Sequence, residues 1–181
     1  MKPDLGLWSN FYMMVGSSAA ALTGLMFVVI ALISQIERTE ASEEGLAAFG
    51  TPTVLHFCAA LLVSAILSAP WQSLTPVIVL LAITGIFGIG FILRAMHRTT
   101  RMDGYDPDTS DWAWYMIAPL FAYAAILAGA FGMLAIPRLA LFIVAAGAVA
   151  LMFLGIRNAW DTVTYLGVIG RGRSGSPKDG P

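Results

Sequence analysis

Side chains able to do chemistry are few in this sequence, and most stand at the edges of long apolar runs. Two histidines, His56 and His97, are its only imidazoles. His56 lies inside a run, about one helical turn from its polar end, and His97 lies just past the end of the next. Two histidines at similar depth are what bis-histidine haem ligation requires. His97, however, sits between Arg94 and Arg98 in a solvated helical extension, so a hydrogen-bonded packing role suits His56 better than that of a ligand. A serine–histidine dyad needs nucleophile and base within about 3 Å. Ser17 and His56 occupy opposite thirds of their runs, and at about 1.5 Å of rise per helical residue their depths differ by roughly 10–15 Å. That excludes the dyad. Ser34 is nearer in depth but has no orienting acid and no oxyanion hole. Cys58 is the single thiol, so neither a disulfide nor a thiolate metal pair can form within the chain. No catalytic residue and no cofactor is expected.

The remaining charged groups sort by helical spacing. Arg157 and Asp161 are four residues apart, with Asn158 and Trp160 between them. An exposed pair of this kind contributes only about 0.2–0.5 kcal/mol, but at a membrane boundary it can clamp a neighbouring helix or a partner. Arg94, Arg98 and Arg101 follow spacings of four and three, which puts them on one helical face. Such a face anchors to anionic headgroups at about 1 kcal/mol per basic residue, or else docks a soluble partner. The acidic stretch DGYDPDTSD opens like a calcium loop at Asp106 and Asp108, but lacks the glycine and closing glutamate of an EF-hand. It reads as solvated loop, like Glu37, Glu40, Glu43 and Glu44. Nothing points to nucleic acid.

These residues need a scaffold, and composition defines it. Of 181 residues, 58% are hydrophobic and 12% charged, against about 25% charged in a soluble domain; mean hydropathy is +0.78. Apolar runs at 11–34, 53–69, 76–93, 112–136 and 139–156 each approach the roughly 17–25 residues that cross hydrocarbon as a helix. Because lipid offers no partner to backbone amides, the expected fold is an all-α integral membrane bundle of five transmembrane helices. Thr51-Pro52 and Thr75-Pro76 look like helix starts, and Ser110-Asp111 can cap the fourth span. Gly170 and Gly172 mark the expected stop of a helical extension reaching about residue 169, leaving 170–181 as a disordered tail.

Charge orients the bundle. Lys2 and Arg138 fall on one side, whereas Arg38, Arg94, Arg98, Arg101, Arg157, Arg171, Arg173 and Lys178 fall on the other. The richer side is cytoplasmic, so the N-terminus is expected outside and the C-terminus inside. Trp8 and Trp71 then mark the outer boundary, and Trp112, Trp114 and Trp160 the inner one.

The first span contains GSSAAALTG, in which Gly16, Ala20 and Gly24 recur every four residues beside Thr23. Similar small residues recur as Thr84, Gly85 and Gly88 in the third span and as Gly129 in the fourth. Small residues let helices approach closely in lipid, where apolar surface alone gives little drive. The strip fits a neighbour in the same chain, a homo-oligomer interface, or a cavity lined by Ser17, Ser18 and Thr23. Mid-span Asp, Glu, Lys and Arg are absent, which counts against proton-coupled transport.

The run AAALTGLMFVVIALIS resembles the opening helix of small bacterial multi-pass membrane proteins with an AAxLTGLxFVxxSL pattern, a largely uncharacterised group, and RNAWDTV is a looser echo. The resemblance implies a bacterial inner-membrane location and carries over no catalytic residue. Together these features lead to an expected structural or regulatory component of a membrane complex, in contact with the lipid bilayer and with another membrane protein or itself. A homo-oligomeric channel or small-solute permease lined by Ser17, Ser18, Thr23 and Thr84 is the alternative.

Overall fold

The computed structural model describes residues 5–36, 40–99 and 112–174, with side chains described at 5–32, 52–97, 112–161, 163 and 164. Among these, all regular structure is helical. A 3-10 turn, Leu5–Trp8, leads into α1 (Ser9–Ile36), followed by α2 (Glu40–Ser68) and α3 (Thr75–Thr99). A π-helical segment, Trp112–Ile117, then runs into α4 (Ala118–Gly132), and α5 (Pro137–Ser174) completes the chain. Four stretches are long and apolar enough to cross a membrane: Leu5–Leu32, Thr75–His97, Trp112–Gly132 and Pro137–Asp161. The second helix supplies a shorter apolar stretch, Pro52–Ser68.

Packing makes a ring of four helices with a fifth outside it. Around the ring α2 packs on α5, α5 on α4 and α4 on α3, and α3 closes lightly against α2. α1 lies mainly on α2. The difference shows in burial: the span in α5 is 50% buried and the one beginning at Leu5 only 22%. α5 is therefore the central post and α1 the peripheral one.

The interior is small and the exterior large. Ala60, Ala122, Ala130, Ala140, Ala145 and Ala148 are buried, whereas Phe27, Phe87, Phe121, Phe131, Phe142 and Phe153 are exposed. In water this arrangement would be costly. In lipid, exposed apolar rings cost nothing, and small inward residues let backbones meet and gain dispersion contacts.

Several helix ends follow local chemistry, and others depart from the sequence expectation. Thr75-Pro76 does open α3. Between α4 and α5 the Gly132 carbonyl accepts from the amides of Ala135 and Ile136 at 3.1 and 2.8 Å, and Pro137 then begins α5. A first helical position is where its missing N–H is least missed. By contrast Pro52 does not start α2, which already runs from Glu40 and carries Pro52 inside it. Nor do Gly170 and Gly172 end α5, which continues to Ser174. Glycine lowers helix propensity by about 1 kcal/mol but makes every backbone bond, so it weakens a helix without stopping it. The expected cap at Ser110-Asp111 and residues 175–181 of the tail lie outside the described residues. The π-helical segment was not anticipated. Pro119, near the start of α4, lacks the N–H that an α-helix would direct at residue 115, and the wider i→i+5 turn lies immediately before it.

Candidate functional site

The small residues divide into two populations. Gly85, Gly88 and Gly129 sit where helices nearly touch. A Cβ on Gly88 would lie 2.1 Å from the Tyr123 ring, and one on Gly129 would lie 2.5 Å from Val144 Cγ2 and 3.0 Å from the Ala140 carbonyl oxygen. One on Gly85 would lie 2.8 Å from Leu127 Cβ. Gly16 faces Ser64 of α2, with 3.0 Å to its Cβ. Ala20 and Gly24 do not share that role: both are exposed, and nothing lies within 4 Å of a Cβ built on Gly24.

The physical reason is pitch. The buried residues of α1, among those whose side chains are described, are Tyr12, Val15, Gly16, Ala19 and Met26, a heptad-like seam. A repeat of four advances about 40° around the helix at each step, so Gly16-Ala20-Gly24 winds out of that seam onto the free side.

The hydroxyls do not converge. Thr23 donates to the Ala19 carbonyl, Ser64 to that of Ala60 and Thr84 to that of Leu80, each at 2.8 Å. Each is satisfied by its own helix, the usual local answer for a hydroxyl in an apolar setting. Thr84 is buried on α3, away from α1, while Ser17 is exposed. Ser17, Ser18, Thr23 and Thr84 therefore line no shared path within one chain.

His56 lies in the ring's interior at 0% exposure. Its Nδ1 is 3.1 Å from the Tyr123 hydroxyl, a hydrogen bond crossing from α2 to α4. The two ring centroids are 5.7 Å apart. Tyr123 is buried in turn and rests on Gly88, so α2, α3 and α4 meet at one polar contact. His97 is exposed at the end of α3, so the two imidazoles are not gathered into one pocket. No group of three potential metal ligands exists among the described residues. Tyr123 escaped the sequence reading although a signal was present: a phenol in the middle of FAYAA needs a hydrogen-bonding partner in lipid, and His56 is the one ionisable group inside a span.

Arg157 and Asp161 form a second cluster, at the opposite end of the bundle from the Ser68–Thr75 connection. Their ion pair is 3.0 Å long, with side chains 33% and 38% exposed. The Arg157 guanidinium lies 4.6 Å over the Trp114 ring, and the Tyr115 hydroxyl donates to Asp161 Oδ2 at 3.2 Å. The pair thus clasps the π-helical segment of its own chain. Asn158 is buried beneath it, while Trp160 points outward at 70% exposure. Trp114 and Tyr115 could not have been assigned to this cluster from spacing, because they reach it across 46 residues in the case of Tyr115 and Asp161.

Arg94 is exposed on α3, whereas the Arg98 side chain, Arg101, Glu37 and the stretch DGYDPDTSD lie outside the described residues, as do the side chains of Ser34, Glu40, Glu43 and Glu44. Glu40, Glu43 and Glu44, expected as solvated loop, instead form the first turns of α2, because the helix runs on past the apolar stretch into the polar segment before it. Gly147 and Gly155 also join the close contacts without having been expected to. A Cβ on Gly147 would lie 2.9 Å from the Ala122 carbonyl oxygen, and one on Gly155 would lie 2.5 Å from the Phe57 ring.

These features define an all-helical bundle with four helices long and apolar enough to cross a membrane, a tightly packed ring, one helix at its edge and a histidine–tyrosine contact in its interior. Set against known proteins, the chain matches no family, no curated protein and no solved structure.

Proposed function

We propose that this is a five-span protein of the bacterial inner membrane, N-terminus outside and C-terminus cytoplasmic, that serves as a non-catalytic structural or regulatory component of a membrane protein complex. The observation that carries this reading is the position of α1. It packs on α2 with one seam and leaves Ser17, Ala20 and Gly24 facing away from its own bundle. A narrow, small-residue surface gives lipid nothing that a leucine surface would not, but it lets a partner helix come close. The ring, by contrast, is filled: Val63, Leu81, Ile126, Val144 and Leu151 are all at 0% exposure, which supports a packed scaffold over a conduit. The Arg157–Asp161 pair is engaged with its own Trp114 and Tyr115, so the docking role falls to α1 rather than to that cluster.

The test is gentle extraction of the C-terminally tagged protein from its native membrane, with the mass and composition of the complex measured for the parent and for the double variant Ala20→Leu, Gly24→Leu. A stoichiometric second protein that is lost in the variant supports the proposal. A ring of identical chains, or a second protein that the variant retains, overturns it.

A further inference from the structure

The end of the bundle that carries the Ser68–Thr75 connection holds a half-enclosed cavity of about 520 Å³, formed between that connection and the 3-10 turn at Leu5–Trp8. Its volume falls within the roughly 300–1,000 Å³ of small-molecule sites. Both walls are fixed. On one side Trp8 meets the Phe142 ring of α5 at 4.7 Å between centroids, which ties the 3-10 turn to the bundle. On the other, the Trp71 indole N–H donates to the Ile66 carbonyl, the Trp71 amide to that of Ala69 at 2.9 Å, and the Ala69 amide to that of Ala65 at 3.2 Å. Pro70 restrains the same turn further. A site already formed spares its ligand the cost of ordering it.

The lining has two characters. Leu67 and Trp71 present apolar surface, whereas Ser9, Ser68, Gln72 and Ser73 are polar and neutral. The hydroxyls of Thr23, Ser64 and Thr84 are committed to their own helices, but these four side chains hydrogen-bond to no described residue. Among the described residues no charged side chain lines the cavity. An ion would find no counter-charge there, and an acyl chain would use only the apolar half. A sugar ring uses both halves. Its C–H face packs on an aromatic or aliphatic wall, and its hydroxyls donate and accept, as serine hydroxyls and a glutamine amide do. Depth agrees with a lipid-borne source, because Leu5 begins one apolar stretch, Ser68 ends another and Thr75 begins a third. The ends of such stretches lie at the level of lipid headgroups.

We propose that this cavity binds an uncharged, polyhydroxylated ring: the sugar headgroup of a neutral glycolipid, or the same sugar free in solution.

Two measurements on the full chain test this and separate the sources. In nanodiscs holding equal amounts of monoglucosyl diacylglycerol and phosphatidylglycerol, native mass spectrometry identifies the lipid that the protein retains. In nanodiscs of phosphatidylcholine alone, saturation-transfer NMR detects binding of methyl β-D-glucoside. Preferential retention of the glucolipid assigns the lipid source, and transfer to the glucoside without that preference assigns the free sugar. In either case Gln72→Ala should weaken binding about 3- to 10-fold, through the loss of neutral hydrogen bonds. Ser68→Leu, which fills the cavity, should abolish it, while Gly90→Ala, outside the cavity, should change nothing. Ser68 and Gln72 are both exposed, so helical circular dichroism should be unaltered in their variants. Retention of phosphatidylglycerol at or above the level of the glucolipid, with no transfer to the glucoside, overturns the proposal. Binding that is unchanged in either cavity variant overturns it too.

Discussion

Gly88 and Gly90 offer a matched test of the close packing, because they stand two residues apart on α3 and differ only in what faces them. A Cβ on Gly88 would lie 2.1, 2.3 and 2.4 Å from three atoms of the Tyr123 ring, whereas nothing lies within 4 Å of one on Gly90. Tyr123 cannot easily yield: it is 1% exposed, and its hydroxyl is held 3.1 Å from His56. Gly88→Ala therefore forces a displaced ring, at about 1–3 kcal/mol for overpacking, and breaks or stretches a hydrogen bond contributing about 0.5–1.5 kcal/mol. Gly90→Ala adds a methyl to open space and gains helix propensity, so its effect is neutral or stabilising by up to about 1 kcal/mol. The expected gap of roughly 2–4 kcal/mol corresponds to about 30- to 700-fold in the unfolding equilibrium.

Reversible unfolding in mixed micelles, titrated with a denaturing detergent and followed by tryptophan fluorescence, measures both variants. Combining Gly88→Ala with Tyr123→Ala separates the steric part, since alanine at 123 lacks the Cγ and ring atoms that meet the new methyl, and the two changes become strongly non-additive. If Gly88→Ala unfolds within about 0.5 kcal/mol of Gly90→Ala, outside the range expected for a core substitution, the described contact between α3 and α4 is wrong.

Further expectations follow from other contacts. Gly147→Ala, whose methyl would lie 2.9 Å from the Ala122 carbonyl oxygen, should cost about 1–3 kcal/mol in the same unfolding assay, because backbone cannot swing aside. Gly132→Ala meets only Ala140 Cβ at 3.3 Å and should cost clearly less. Arg157→Lys keeps the charge but loses the flat stacking on Trp114; with the ion pair one-third exposed, the loss should be about 0.5–1 kcal/mol and should shrink in high salt. Gly24→Leu should leave the chain's own unfolding within about 0.5 kcal/mol, since its surface is free, while weakening association in the extracted complex. Orientation is measurable in a Cys58→Ser background: Lys2→Cys should react with an impermeant maleimide on intact spheroplasts and Lys178→Cys only after lysis. The reverse pattern inverts the topology.

The helical class was legible because hydrophobicity is a local quantity. Long apolar runs with few charges leave the backbone no alternative to internal hydrogen bonds, and the start of α3 is signalled by Thr75-Pro76. Gly85, Gly88 and Gly129 are small in the sequence and close-packed in the structure, since smallness is itself the property that close approach needs.

What sequence order alone does not contain is which side of a helix meets which neighbour. Gly16, Ala20 and Gly24 look equivalent as a repeat of four, yet only Gly16 faces α2, because α1 packs along a 3.5-residue seam that the other two leave behind. Arg157 and Asp161 were visible as a pair, but Trp114 and Tyr115 entered their cluster only once the π-helical segment was laid against α5. His56 was visible as an isolated group, and Tyr123 as an ordinary phenol in an alanine-rich run. The sequence by itself determined the membrane-like composition, the helices and most of their limits, all of which depend on properties of neighbouring residues. The tertiary structure decided that α1 stands outside the ring and that His56 meets Tyr123 across it, because both depend on the rotation and register of helices that are far apart along the chain.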